Sequence, residues 1–228
     1  MRRRILIYGA GGHAKTVISL LRLADWDISG IIDDGVDAGV EVSGIPVLGN
    51  ADLLPKLRTD GIDAVVNAVG GIGNYAVRWK IFERLQKLGF SFPTLIHPSA
   101  FVEDTVRLAD GIQVLAQSYI SSETTVGFGT LINAGVIISH DGQIGKCVNL
   151  SPGALLAGQV TVEDFAQIGM GATINLEVKV GTRARIGNSA VVKKDVPADG
   201  RVYAGTVWPP VSGKVRPKDS EPYYRKIA

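Results

Sequence analysis

From Ile96 onward every sixth residue of the chain is aliphatic. Ile96, Val102, Leu108, Val114 and Ile120 open a series that runs unbroken to Val192, seventeen positions, each Ile, Leu or Val. An α-helix does not repeat on six, and a sandwich strand alternates on two with irregular turns between. A sustained six-residue period describes short strands joined by tight corners, with each aliphatic side chain stacked on its equivalents in the coils above and below: a parallel β-helix. Two further columns agree with this. The residue four places after each aliphatic is commonly small or β-branched, as at Thr124, Thr130, Ala154, Ala166 and Ala172, and glycine directly follows several aliphatics, at Gly127, Gly145, Gly169, Gly181 and Gly187. Three hexapeptides make one coil, so residues eighteen apart stack.

The first ninety or so residues alternate strand and helix signals. ILIYG reads as a strand, GHAKTVISLLRLA as a helix, DISGIIDD as a second strand, Leu48 to Leu57 as a short helix, IDAVVNAVGG as a buried strand, and VRWKIFERLQKLG as a helix ended by Gly89. This is one half of a doubly wound α/β domain. The stretch IYGAGGHAK fits a phosphate-binding G-x-G-x-x-[GA] pattern at Gly9, Gly11 and Ala14, and Asp33 and Asp34 follow where a ribose-binding acid would sit. NAD needs two mononucleotide-binding halves and there is room for one, which disfavours an NAD-dependent oxidoreductase and leaves a ligand with a single nucleoside and its phosphates. The expected organisation is a nucleotide-sugar-binding α/β domain over 1–93, a β-helix over 94–205 and a tail over 206–228. In the tail the period is lost and four prolines appear, so it is expected to wrap the last coils or a neighbouring subunit.

The charges, 24 Lys and Arg against 22 Asp and Glu, are spread along the chain and leave no footprint for nucleic acid. One cysteine, Cys147, cannot form an internal disulfide, which favours a cytoplasmic protein. The basic start MRRR precedes an apolar run of only Ile5 to Tyr8, too short for a signal sequence, and no run is long enough for membrane insertion.

The opening GAGGHAK, the linker LIHPSA, and hexapeptide repeats containing SHD and PGALLAG together resemble a bacterial acetyltransferase family. It includes sialic-acid O-acetyltransferases and nucleotide-amino-sugar N-acetyltransferases of glycan biosynthesis, and the likeness covers residues 1 to about 205. The resemblance implies a left-handed β-helix, against the usual right-handed crossover, assembled as a homotrimer. Acetyl-CoA would lie along the β-helix and the nucleotide of the sugar on the N-terminal domain. The implied activity is acetyl-CoA-dependent N-acetylation of a nucleotide-linked amino sugar for surface polysaccharide or glycoprotein glycans. A sugar O-acetyltransferase would use the same base and stays open, as does a non-catalytic trimeric scaffold that binds nucleotide-sugars.

Among three histidines, His140 lies two places after the aliphatic Ile138, where side chains point outward. It reads as a surface residue or as a base, and the match to the family's His-acid pair implies the base, since imidazole can take a proton from an attacking amine or hydroxyl near neutral pH. Asp141 would be its partner, although neighbours on a straight strand face opposite ways and only a corner could bring them together. Gly158, one coil on, would offer a bare amide N–H to the thioester oxygen, or else serve a tight corner. The resemblance also implies Asn149, Gly158, Met170 and Asn188 against acetyl-CoA, and Asn133, Gly11, Gly12, His13, Asp33, Asp34, Gly70 and Gly73 against the substrate.

Three departures from the family pattern stand out. Asn149 occupies a place where the amino-sugar enzymes commonly carry a second histidine, GGIGNYAVRWK is longer than the usual strand-to-helix link, and AGTVWPP replaces a G-V-P-A-type turn. His97 marks the entry to the β-helix, and His13 could equally fill its turn. A zinc site like that of γ-class carbonic anhydrases takes three histidines, but the central repeats hold only His140, so no metal is expected and Cys147 reads as buried filling.

Overall fold

The structure, a computed structural model, describes residues 3–73 and 75–210. In the N-terminal domain five strands lie in the order β3-β4-β2-β1-β5: β1 (Arg4–Tyr8), β2 (Asp27–Ile32), β3 (Glu41–Val42), β4 (Ile45–Gly49) and β5 (Ala64–Asn67). All pair in parallel except the β3-β4 hairpin. Helix α1 (Gly12–Leu23) buries Val17, Ile18 and Leu21 against Ile5, Ile7 and Ile31 on one side of the sheet. On the other side α2 (Leu54–Thr59) and α3 (Tyr75–Lys87) bury Leu54, Phe82 and Leu85 against Leu6 and Val65. The short helix expected from Leu48 starts later, because Leu48 belongs to β4. The β3-β4 hairpin turns at Ser43 and Gly44, both with positive φ (51° and 75°), the signature of a two-residue primed turn. Asn50 then caps a single 3-10 turn, accepting from Asp52 N–H at 3.1 Å.

Beyond Phe92 the chain coils into a left-handed parallel β-helix with three faces. The first face begins at Leu95–Ile96, the second at Phe101–Val102 and the third at Arg107–Leu108. As far as Val192 the pairings join residues eighteen apart, as Tyr119 with Ile137 and Gln143 with Thr161. The aliphatic column from Val114 onward points into the prism and is buried, together with the small column of Ala154, Ala166, Ala172, Ala184 and Ala190. The corners share one conformation: every sixth residue from Gly111 to Ser189 is left-handed, with φ between 49° and 71°. The glycine column follows from close approach of successive coils. A Cβ on Gly127 would lie 2.6 Å from the Gly145 carbonyl carbon, and one on Gly187 would lie 2.4 Å from Ala204 N.

The last coil breaks the spacing. Val180 bridges Val196, Arg185 pairs with Arg201 and Val191 with Val207, each sixteen residues apart. Two residues are missing from the corner after Val192, so the period resumes out of phase at Val196, Val202 and Trp208. The ladder therefore runs through Val207–Trp208 instead of stopping at 205. The expected wrapping of the tail beyond residue 210 falls outside the described residues.

The N-terminal domain sits on the first face and its edge with the third. Phe82 meets Phe92 and Phe128 edge-on at centroid separations of 5.2 and 4.8 Å, and Trp79 meets Phe165 at 5.7 Å, favourable aromatic geometry over a large buried area. Among the described residues no helix is long and apolar enough to cross a membrane.

The close coil contacts carry a prediction. In Gly169→Ala the new methyl would lie 2.6 Å from both Asn188 N and the Gly187 carbonyl carbon, backbone atoms that cannot swing aside. Thermal or denaturant unfolding of this variant should show a loss of about 1–3 kcal/mol, the usual cost of overpacking.

Candidate active site

The edge between the second and third faces brings together the residues expected to be catalytic. His140 and Asp141 occupy one corner, and Asp141 is its left-handed residue (φ 59°). That twist supplies the bend a straight strand lacks and turns the carboxylate toward its neighbour's ring, with His140 Nδ1 and Asp141 Oδ2 2.7 Å apart. Both side chains remain about half exposed, at 57% and 49%. Gly158 stacks one coil on, as the period requires, and a Cβ there would lie 2.6 Å from His140 Nε2. The imidazole thus occupies the space that any other residue at 158 would fill. At the equivalent corner position the N–H groups of Lys146, Met170 and Thr182 donate to Asp164 Oδ1, Asn188 Oδ1 and Glu163 Oε2. The N–H of Gly158, like those of Asp164 and Leu176 at the same position of other corners, finds no acceptor among the described residues, and Gly158 alone of the three has no side chain of its own over it. Beside this corner a groove of about 510 Å³ on the second face is lined by Ile137, Ser139, Leu155, Thr173 and Asn175.

The other expected site gathers at the carboxyl ends of β1, β2 and β5, where the strand order reverses between β1 and β5. Gly9 (φ 110°) brings the loop after β1 against the loop after β5; a Cβ on it would lie 3.1 Å from Val69 N. Gly11 caps α1, and Gly11 and Gly12 are exposed with open space around both, so backbone N–H groups at the helix start face outward. Asp33 accepts from Ala10 N–H at 2.7 Å and Gly35 N–H at 2.8 Å, so its carboxylate shapes the loop itself. Asp34 accepts from Tyr8 OH at 2.6 Å and Ala51 N–H at 2.9 Å, with Arg84 at 3.8 Å. Burial acts to raise the Asp34 carboxyl, but those two hydrogen bonds and the arginine outweigh it and hold it below the ordinary range. Burial, reinforced by Asp34, pushes the Tyr8 phenol up to about 12.

Several expected contacts sit elsewhere. Asn149 is buried beneath the loop after β5, so tightly that a Cβ on Gly71 would collide with its side-chain amide; it is a docking residue between domains and offers no free side chain to acetyl-CoA. Asn133 donates to Leu150 O at 2.7 Å and to Asn149 Oδ1 at 3.4 Å. Gly73 N–H donates to Gln167 Oε1 at 3.2 Å, which ties this loop to the first face, while a Cβ on Gly70 would touch His13. His13 turns its Nε2 to Gln113 Oε1 at 2.8 Å. Met170 and Asn188 stack together on the edge between the first and second faces, away from the His140 edge. His97 holds the turn at the β-helix entry through Ser99, and Cys147 is buried, its thiol pushed up to about 11 by that burial. Sequence reasoning missed the domain-docking polar residues Asn67, Arg78, Gln113 and Gln167. Gln113 and Gln167 showed only a polar residue on an outward position of a face, indistinguishable from solvent-facing positions such as Gln143, and Asn67 and Arg78 only a polar residue at a strand end and on a helix.

Comparison with known proteins agrees with this architecture. Residues 4–85 match the family described as PglD N-terminal domain. Over the whole fold the chain is similar to PerB from Caulobacter crescentus in complex with CoA and GDP-perosamine, with 34% identity, a TM-score of 0.82, and 88% of this chain and 94% of that one covered. The acetyltransferase domain of PglB from Neisseria gonorrhoeae FA1090, in complex with acetyl coenzyme A, gives 30% identity and a TM-score of 0.81 over 90% of this chain and 98% of that one. WeeI from Acinetobacter baumannii AYE gives 30% and 0.79 over 88% and 96%. With a PglD-type α/β domain docked on a left-handed β-helix and relatives matched over nearly their full length, the chain belongs to the bacterial family of hexapeptide-repeat sugar acetyltransferases that carry an N-terminal nucleotide-binding domain.

Proposed function

We propose that the protein moves the acetyl group of acetyl-CoA onto the amino group of a nucleotide-linked amino sugar, with His140 as general base. The observation that carries this reading is the corner at which His140, paired to Asp141 at 2.7 Å, lies against the bare amide of Gly158. With Nδ1–H donated to Asp141, the neutral ring presents the Nε2 lone pair outward, and the carboxylate stabilises the imidazolium that forms. The substrate amine attacks the thioester carbonyl as Nε2 takes its proton. Charge builds on the carbonyl oxygen, where the Gly158 N–H donates to it. The tetrahedral adduct collapses with rupture of the C–S bond, and the imidazolium returns the proton to the departing CoA sulfur. PerB, crystallised with CoA and GDP-perosamine, supports an amine as acceptor in preference to a sugar hydroxyl. The crevice flanked by Gly11, Gly12 and Gly70 suits the nucleotide's phosphates, and the groove along the second face suits the arm of CoA.

The same reading includes a homotrimer acting in the cytoplasm. Within one chain the nucleotide crevice lies on the side of the first face, while His140 lies on the edge between the other two. A neighbouring copy can bring a crevice to that edge. The second face also presents Phe101, Ile137 and Leu155, exposed by 64%, 40% and 40%, as an apolar ladder suited to a second copy, with the arm of CoA lying in the groove between the two copies.

His140→Ala should lower turnover by about 10²–10⁴-fold, the usual reach of general-base catalysis, while calorimetry shows nucleotide and acetyl-CoA still bound; undiminished thiol release would remove His140 from the mechanism. Gly158→Ala makes a second test, because the new methyl would meet only the far end of a movable side chain. The protein should fold and melt as before yet lose turnover as the imidazole is displaced. Light scattering on a sizing column should report a trimer, and Leu155→Glu, which puts a charge on the apolar ladder, should shift it to monomer.

A further inference from the structure

We propose that Gln113 is a positioning residue for the nucleotide half of the reaction: its amide fixes the tautomer of His13 and ties both lips of the nucleotide crevice to the β-helix. The proposal rests on the nucleotide reading of that crevice. Gln113 projects from the first face and is 1% exposed. Its Nε2 lies 2.8 Å from the Asn67 carbonyl, and its Oε1 lies 2.8 Å from His13 Nε2. A carbonyl can only accept, so the nitrogen of the amide must face Asn67 and the oxygen must face the ring. The oxygen in turn requires a hydrogen on His13 Nε2. One buried amide thereby sets which imidazole nitrogen carries the proton and leaves Nδ1 as the position open to change.

The two groups held by that amide belong to different lips of the crevice. His13 lies in the first turn of α1, directly after the Gly11-Gly12 turn, and Asn67 ends β5. A second buried group braces the same lip from behind. Arg78 on α3, 2% exposed, donates to the carbonyls of Asn67 and Val69 and to that of Gly129 in the β-helix at 3.0 Å, while Asn67 Nδ2 donates to Arg78 O at 3.0 Å. Both lips are therefore referenced to the β-helix that bears the acetyl-transfer corner. A polar side chain spent wholly on the start of α1 and the end of β5 in another domain, at an outward position of a face, has no part in holding the coils together.

The test uses the full chain. In Gln113→Leu, of similar volume, the Asn67 carbonyl and His13 N–H both lose a buried partner. Binding of GDP and UDP, measured by calorimetry, should weaken about tenfold, with acetyl-CoA affinity unchanged and the Michaelis constant for the nucleotide-sugar raised more than turnover is lowered. Nitrogen-resolved NMR of the imidazoles should show His13 as the Nε2–H tautomer in the wild type and as a mixture in Gln113→Leu. Gln113→Glu keeps the acceptor for His13 and loses the donor to Asn67; it should keep the Nε2–H tautomer and bind GDP and UDP with intermediate affinity. Should Gln113→Leu fail to fold, Gln113→Glu decides alone. Wild-type nucleotide affinity in a folded variant, or a wild-type His13 in the Nδ1–H form, overturns the inference and leaves the proposed activity standing. A wild type that binds neither nucleotide removes the crevice reading and this inference with it.

Discussion

Stacked aliphatic rungs inside the prism are the constraint from which the rest follows. Each coil returns the chain to the same three inward positions, and each fully buried Val, Leu or Ile there contributes about 1.5–3 kcal/mol relative to exposure. Against this, left-handed corners at residues other than glycine, such as Asp141, Cys147 and Phe165, cost about 1–2 kcal/mol apiece. The rungs win because a corner costs once per hexapeptide, whereas each hexapeptide buries its aliphatic residue, adds a small residue at the bend and closes two ladders of backbone hydrogen bonds. The same arithmetic lets the fold tolerate a strained corner at Asp141. Asp141 occupies a conformation the β-helix imposes on every sixth residue, and at this corner it brings a carboxylate to an imidazole.

The three faces have separate duties. The third, with Thr125, Gln143 and Lys179 outward, is polar; the second is apolar and carries the groove beside His140; the first is given over to the N-terminal domain. Docking on the first face combines an aromatic cluster around Phe82 and Phe128 with buried polar groups that reach across to loops. Such polar groups, fully satisfied, fix one arrangement where an apolar contact alone would permit sliding. Arg78 shows the cost that is tolerated for this. Burial depresses its guanidinium to about 10, and backbone carbonyls with the face of Phe82, in place of a carboxylate, hold the charge.

The β-helix was legible in the sequence because its period is strict and its inward residues belong to one chemical class. The eighteen-residue stacking of Gly158 on His140 followed from counting alone. The glycine column was visible too, though its cause, contact between the backbones of successive coils, was not. The N-terminal domain was readable as alternating strand and helix, while the β3-β4 hairpin escaped because two-residue strands carry almost no periodic signal and only the Ser43-Gly44 pair marked its turn. Least legible were the contacts between domains. Asn149 was expected at the donor site because the resemblance puts it where relatives commonly carry a second histidine, yet its environment is made by Gly71, far away in the chain. Outward residues on a face obtain their meaning from whatever lies opposite, and no local pattern records that.

The shortened final coil bears on how the described ladder closes. An open solenoid offers its last strands as templates for another chain, and a regular ladder would extend by accretion. Here two residues drop out after Val192, yet Arg201–Val202 and Val207–Trp208 still pair in register on the coil before, so the corner absorbs the whole deletion. Trp208, donating its indole N–H to Asp195 O at 3.0 Å, lays a broad ring over the exhausted core. A broad ring pinned by its own hydrogen bond thus stands, among the described residues, where the aliphatic column would place one more slim side chain.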